Sequence, residues 1–230
     1  MTTPEPAPKR TCTITLVGGT GNQGPGLALR WAIAGHQILI GSRVFEKAQA
    51  TAARLTETLA SHNIKANYEY GVNADVVGKA ELVVLTIPYE AVRDTLKVIK
   101  NYIKPKTIVV SPVVPMATTE EGLVPTLVPE GSAAELVAKE LPDAIVVGAL
   151  QNVSAEALDA IPDPLEGDVV VCGEDKEAKN IVMQLVSDIP NLKPTDGGKL
   201  KNCRMIEPLT VLLVILGKKL KNPKLSVKFV

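Results

Sequence analysis

The chain of 230 residues is long enough for one large α/β domain, or one and a half smaller ones. Lys+Arg and Asp+Glu balance at 25 each, so no overall charge draws it to nucleic acid or to an anionic membrane. Cys12, Cys172 and Cys203 are odd in number and lie far apart with no C-x-x-C pair, which suggests neither a disulfide framework nor a zinc site and reads as buried or free thiols in a reducing cytoplasm.

Residues 1–10 lack the apolar centre of a signal peptide and read as a disordered tail. The first element is the apolar run Ile14 to Val17, which stops at glycines and is followed by a helical stretch from Leu27 to Ala34. Gly19, Gly21 and Gly24 fit G-x-G-x-x-G between that strand and helix. In this motif the first glycine allows a sharp turn, the second lets the backbone approach a pyrophosphate, and the third lets helix and strand pack closely. Thr20, Asn22 and Gln23 complete the loop, and Pro25 is read as the first helical residue, where its missing N–H costs nothing. The remaining N–H groups and the positive end of the helix dipole would face the phosphates of a dinucleotide.

Gly35 is placed to end the helix, and residues 36–43 read as the second strand. In NAD-specific folds a carboxylate stands about 20 residues beyond the first glycine, whereas Arg there accommodates a 2′-phosphate. This chain offers Ser42 and Arg43, then Lys47 one helical turn later, with no acid before Glu46. That set predicts NADP over NAD, with Thr20 adding a hydroxyl to the same phosphate.

Residues 46–62 predict the second crossover helix, 66–70 a short strand and 73–79 a helical turn. The nearly continuous apolar strand over 81–88 suits the middle of a parallel sheet, with its Thr86-Ile87-Pro88 end on the glycine-loop edge. A helix over 89–102, a strand over 107–111, a helix over 133–141 and a strand over 144–149 continue the alternation, which argues a doubly wound parallel α/β sheet of Rossmann type over 11–150. Between them, Pro112 to Gly131 reads as a long functional loop without periodicity.

From Gln151 the pattern changes to a strand over 168–173, a helix over 175–189 and a helix over 202–220 kinked or begun at Pro208. Residues 151–230 are therefore expected to form a smaller α+β domain that closes the cofactor cleft. The run Leu209 to Leu216 is interrupted only by Thr210 and falls far short of the roughly 20 residues of a membrane span. Being apolar nearly all round, it is expected in the core or against another subunit. The expected protein is soluble and cytoplasmic.

His36 and His62 are the only histidines and neither falls on the ligand-binding edge, so a histidine base, a serine triad or a two-histidine metal site is not expected. Chemistry without a catalytic acid or base, such as direct hydride transfer between two bound coenzymes, fits this scarcity.

Gly18-Gly19-Thr20-Gly21-Asn22-Gln23-Gly24, Gly41-Ser42-Arg43 with Lys47, Thr86-Ile87-Pro88, Val110-Ser111-Pro112, Gly131-Ser132-Ala133-Ala134-Glu135 and Gly148-Ala149-Leu150-Gln151-Asn152 stand together in the order and spacing that resemble the NADPH-dependent reductases of the deazaflavin coenzyme F420. The similarity runs on through Val171-Cys172-Gly173-Glu174-Asp175 to Ile206-Glu207-Pro208-Leu209-Thr210. The resemblance implies a homodimer that moves hydride reversibly between C4 of NADP(H) and C5 of F420, an 8-hydroxy-5-deazaflavin co-substrate. It implies Thr20, Ser42, Arg43 and Lys47 at the 2′-phosphate, Ile87 and Pro88 beside the nicotinamide, and the deazaflavin in a cleft of Ser111, Pro112, Val113, Leu150, Gln151 and Asn152. Some relatives carry a histidine where this chain has Gln151. Two other readings remain open on the residues alone: an NADP-dependent reductase of a small imine or carbonyl compound, and a non-catalytic NADP(H) sensor.

Overall fold

The computed structural model describes residues 10–66 and 68–230, so the tail expected over 1–10 lies outside the described residues except for Arg10. The first half runs β1 (Thr13–Val17), α1 (Gly24–Ile33), β2 (Gln37–Ser42), α2 (Phe45–Ser61), β3 (Tyr68–Val72), the short α3 (Asn73–Val77) and β4 (Leu82–Leu85). It continues with α4 (Val92–Ile99), flanked by single 3-10 turns, then β5 (Ile108–Ser111), β6 (Met116–Thr119), β7 (Gly122–Pro125), α5 (Ala133–Glu140) and β8 (Ile145–Gly148). The remainder is α6 (Ala155–Asp159), β9 (Gly167–Gly173), α7 (Lys176–Ser187), β10 (Leu192–Asp196) and α8 (Cys203–Leu220).

Eight strands form one sheet in the order β10-β9-β8-β5-β4-β1-β2-β3. Every neighbouring pair is parallel except β8 with β9. The strands that follow residue 150 are thus bonded into the same sheet as those before it. The side-chain period of two explains why the central strands are apolar throughout. Leu82, Val84, Val110, Val147, Val169 and Val171 enter the core that also holds Leu27, Trp31 and Leu55 of α1 and α2 and Val182 and Leu185 of α7. Their neighbours Val83, Leu85, Val109, Val146 and Val170 enter the opposite core with Leu96 of α4 and Leu136 and Val137 of α5.

Two expectations are corrected. The stretch over 112–131 is not a structureless loop: β6 and β7 pair antiparallel from Met116↔Pro125 to Thr119↔Gly122, turning at Glu120-Glu121. Strands of four residues, one ending in proline, are too short to show a period, and Gly122 at φ +113° supplies the turn. Pro25 is the second residue of α1, not the first, because the helix already begins at Gly24.

α8 runs unbroken through Pro208, which stands exposed near the start of the helix. Buried polar groups fasten the connections around the sheet. Arg30 of α1, 4% exposed, donates to the carbonyls of Ala157, Leu158, Ala160 and Asp163, and so pins the C-terminal end of α6 to α1. His36 accepts the Cys12 N–H at Nδ1 and reaches Asp188 through Nε2 at 2.9 Å, a structural role at the edge opposite the glycine loop. Among the described residues, no helix is long and apolar enough to cross a membrane.

The start of α8 is tied to α5 by a carboxylate. Glu207, 3% exposed, accepts the Ala133 and Ala134 N–H groups at 2.8 and 3.1 Å, at the positive end of α5. Ser132 caps the same helix, its hydroxyl accepting the Glu135 N–H and donating to the Glu135 carboxylate, and Arg204 of α8 closes on Glu135 at 2.7 Å. Burial pushes Glu207 up to about 7 from an ordinary 4.5, against the two amide donors, which favour the ion. An acid with a raised folded-state pKa contributes stability below its unfolded value and loses it as pH rises through the folded one. The native protein should therefore lose denaturation free energy between about pH 5 and pH 8 relative to Glu207→Gln, at up to about 1.4 kcal/mol per unit. Urea midpoints of both proteins across that range measure it; parallel pH profiles would mean that Glu207 titrates as in the unfolded chain.

Candidate functional site

The sheet order reverses between β1 and β4: from β1 the chain moves to β2 and β3 on one side, then returns to β4 on the other. Ligands bind in the crevice that such a reversal opens at the carboxyl ends of the strands. Here that edge carries Val17-Gly18 and Leu85-Thr86, tied together by Thr86, whose N–H and hydroxyl both bond to the Val17 carbonyl at 2.9 and 3.0 Å.

The sharp turn after β1 falls on Gly18, at φ +72°, and not on Gly19 as the motif had suggested. A Cβ at Gly18 would stand 2.4 Å from Ile87 Cγ2, so the loop lies directly on the end of β4. Gly24 has the packing role expected of it: a Cβ there would come within 2.6 Å of the Gly19 Cα. Gly21 has more room, its nearest protein atoms being carbonyl oxygens at 3.3 and 3.4 Å from such a Cβ. A side chain at 21 would fit only if those carbonyls gave way by a few tenths of an ångström, a milder conflict than at Gly24.

Asn73, which the motif does not contain, accepts the Gly18 N–H at Oδ1, while the N–H groups of Gly19 and Gly21 bond to Gly41 and Gly18 carbonyls. Those of Thr20, Asn22 and Gln23 have no hydrogen-bond partner among the described residues and stand with the free N-terminal N–H groups of α1. The Gln23 side chain is engaged elsewhere, donating to the carbonyls of Leu150 and Val153.

At the end of β2, Ser42 Oγ lies 3.5 Å from Thr20 Oγ1 and accepts the Val44 N–H. Arg43 and Lys47 are exposed and have no carboxylate partner among the described residues. A groove of about 610 Å³ begins here, lined by Ser42, Arg43, Asn73, Pro88, Ala91 and the Thr95 and Val98 face of α4, with the exposed carboxylates Glu90 and Asp94 also in its lining. Lys47 does not line it. Pro88 also lines a larger cleft of about 880 Å³, so the two adjoin at that residue.

The larger cleft brings together Gly21, Asn22 and Gln23 of the glycine loop, Ile87 and Pro88, Pro112 and Val113, and Gln151 and Asn152. Gly19, Thr20, Gly24, Ser111 and Leu150 do not line it. Ser111 is wholly buried with its hydroxyl unpartnered, and Leu150 is buried at φ +68° with its carbonyl on Gln23. The side-chain oxygens of Gln151 and Asn152 are also buried without a partner, as groups awaiting a ligand donor would be. Their amide nitrogens are occupied, that of Asn152 on the Asp168 carbonyl and that of Gln151 against Cys203 Sγ.

Sequence reasoning missed the far wall: Val114, Met116 and a stripe of α8 comprising Thr210, Leu213, Val214, Gly217 and Lys218, continued by Lys221. The i, i+3, i+4 spacing of that stripe shows which face of an all-apolar helix it is, but only the fold shows what it faces. The ionisable lining residues are Glu156, Lys218 and Lys221, all exposed. The thiols nearby, Cys172 and Cys203, are buried and paired: the contact with Cys172, then burial, pushes the Cys203 thiol up, while that contact brings Cys172 down. The arrangement is a mostly apolar cleft beside a loop with unbonded N–H groups, its ionisable lining residues confined to the exposed Glu156, Lys218 and Lys221.

Comparison with known proteins agrees with this geometry. The model of the family described as NADP oxidoreductase, coenzyme F420-dependent, matches residues 13–115. The F420-dependent NADP reductase of Methanocaldococcus jannaschii is 41% identical over 91% of this chain and 94% of its own. That of Methanothermobacter thermautotrophicus is 35% identical over 89% of this chain and 88% of its own. A crystal structure of a candidate F420-dependent NADP-reductase from Arthrobacter sp. FB24 superposes with a TM-score of 0.78 at 25% identity, covering 95% of this chain and 99% of that one.

The glycine geometry separates two kinds of defect. Gly24→Ala forces backbone atoms apart and should lower stability by about 2 kcal/mol or more. Gly21→Val should lower the melting temperature less than Gly24→Ala does and lose dinucleotide binding at least a hundredfold. Thermal denaturation paired with calorimetric titration reads both; normal nucleotide binding by Gly21→Val would remove the loop from the pyrophosphate site.

Proposed function

The chain belongs to the F420-dependent NADP reductase family, and we propose that it transfers a hydride reversibly between the nicotinamide of NADP(H) and the deazaflavin ring of coenzyme F420. One observation carries this reading: a groove holding Arg43 at the end of β2 adjoins, at Pro88, a mostly apolar cleft of about 880 Å³ without a buried acid or base in its lining. Both coenzymes bring their own redox chemistry, the hydride passing from one ring carbon to the other without a proton relay.

The chain's residues bind and orient. The free N–H groups of Thr20, Asn22 and Gln23, with the N-terminus of α1, suit the pyrophosphate. Ser42, Arg43 and Thr20 gather around the 2′-phosphate, and Lys47, exposed one turn into α2, adds charge from outside the groove. Ile87 and Pro88 border the nicotinamide, and Pro112, Val113, Gln151 and Asn152 line the space above it, where the unpartnered Gln151 and Asn152 oxygens can accept hydrogen bonds from a ring N–H or an amide. Ser111 and Leu150 act from behind this wall. A reductase of small imines would need a proton donor at the reacting atom, and the lining offers only Glu156, Lys218 and Lys221, all exposed.

In this reading residues 11–150 bind the nucleotide and residues 151–230 close the cleft, through 151–156 on one wall and α8 on another. We also assign a homodimer. The face of α8 turned away from the cleft exposes Met205, Pro208, Leu212 and Ile215 at helical spacing, and Met205 is 64% and Leu212 49% exposed. Three cysteines, all buried and unbridged, suit a cytoplasmic setting.

The protein mixed with NADPH and oxidised F420 should bleach the deazaflavin absorbance, and FMN should not substitute. Arg43→Ala should raise the KM for NADPH at least tenfold with little change for NADH; equal losses would take Arg43 away from the 2′-phosphate. Sedimentation should give a dimer for the native chain and a monomer for Leu212→Glu; a native monomer would leave the exposed face of α8 without its partner.

A further inference from the structure

We propose that Lys218 and Lys221 form an anion subsite at the mouth of the cleft for the tail of the deazaflavin co-substrate, a phosphodiester followed by glutamyl carboxylates. This assignment rests on F420 being the second substrate. It starts from the order of residues along α8. Thr210, Leu213, Val214, Gly217, Lys218 and Lys221 all line the cleft, a stripe of three turns about 16 Å long at 1.5 Å per residue. Its first two turns are uncharged and its end is cationic. A molecule that is a flat ring at one end and a polyanion at the other matches that order; a small neutral substrate has no use for the cationic end.

Lysines at a helix C-terminus also offset the helix dipole. Lys219 does so equally well from the exposed side, without lining the cleft, so the dipole alone does not account for the two that do. Lys221 stands beyond the helix, where φ +53° turns the chain back along the cleft towards Pro223 and Leu225. Neither Lys218 nor Lys221 has a carboxylate partner among the described residues, whereas the next lysine, Lys224, meets Asp163 at 3.7 Å and Lys228 meets Glu166 at 2.6 Å. Glu156 of α6 is the one carboxylate in the lining, so the mouth keeps a net positive charge. It is separate from the cations of the nucleotide site, since Arg43 lines the neighbouring groove beyond Pro88.

The test compares two deazaflavins, F420 itself and the same ring with its ribityl chain but without phosphate and glutamates. In Lys218→Gln/Lys221→Gln, the KM for F420 should rise at least tenfold and its dependence on salt should flatten. The KM for the tail-less deazaflavin should move less than twofold, and Lys219→Gln should alter neither. Equal losses for the two deazaflavins, or a rise in the KM for NADPH alone, would overturn the subsite. A native protein that reduces neither deazaflavin would overturn the underlying reaction, and the subsite with it.

Discussion

The groove depends on a close approach of backbone to backbone. Gly24 lies so near Gly19 that no side-chain carbon fits between them, and Gly18 lies close against the Thr86 carbonyl and the Ile87 side chain. These two contacts hold the glycine loop flat against the ends of β1 and β4. The unbonded N–H groups of the loop then face outward, where the chain reversal between the two strands opens a crevice. Asn73 takes part by accepting the Gly18 N–H from a third direction, in place of water or a ligand. The site is stiff because it is made of main chain, whose positions are set by the sheet rather than by rotamers.

α8 resolves the puzzle of a helix apolar nearly all round. One face turns Leu213 and Val214 into the cleft, and the opposite face presents Leu212 and Ile215 to solvent. A helix lining the cleft on one side, and in the proposed dimer covered by a partner on the other, has no face left to be polar except at its lysine-rich end. Its anchor is correspondingly strong: Glu207 sits one turn before Thr210 and is buried against the α5 N-terminus, so whatever shifts that carboxylate shifts the cleft wall.

How much of this was legible in the sequence follows from the range of each signal. The parallel sheet, the glycine loop and Arg43 at the end of β2 were readable because each is written within a few residues: an apolar strand, a glycine spacing, a residue type at a fixed offset. The position of the sharp turn was not, since adjacent glycines are equally permissive and the neighbour that decides between them, Ile87, is remote in sequence. The β6–β7 hairpin escaped because two four-residue strands carry no measurable period. Asn73 and the α8 wall were invisible for a simpler reason: both act on the glycine-loop region from far along the chain, and nothing local marks which side of α8 meets it. The unpartnered oxygens of Gln151 and Asn152 likewise exist only as a packing result.

Binding two polyanionic coenzymes side by side sets an electrostatic problem that the arrangement of cations addresses. If positive charge stood in the middle of the cleft, each anionic segment would be drawn across the place where the rings must stack. The cations are instead at the margins, Arg43 and Lys47 around the end of β2 and Lys218 and Lys221 at the end of α8, with Ile87, Pro88, Pro112 and Val113 between them. Anions anchored at opposite margins repel one another least, and the uncharged middle is left to dispersion and shape. In such a middle, a titratable group would also change the relative stability of the two redox states with pH. With none between Ile87, Pro88, Pro112 and Val113, the hydride balance is left to the coenzymes and the two substrate concentrations.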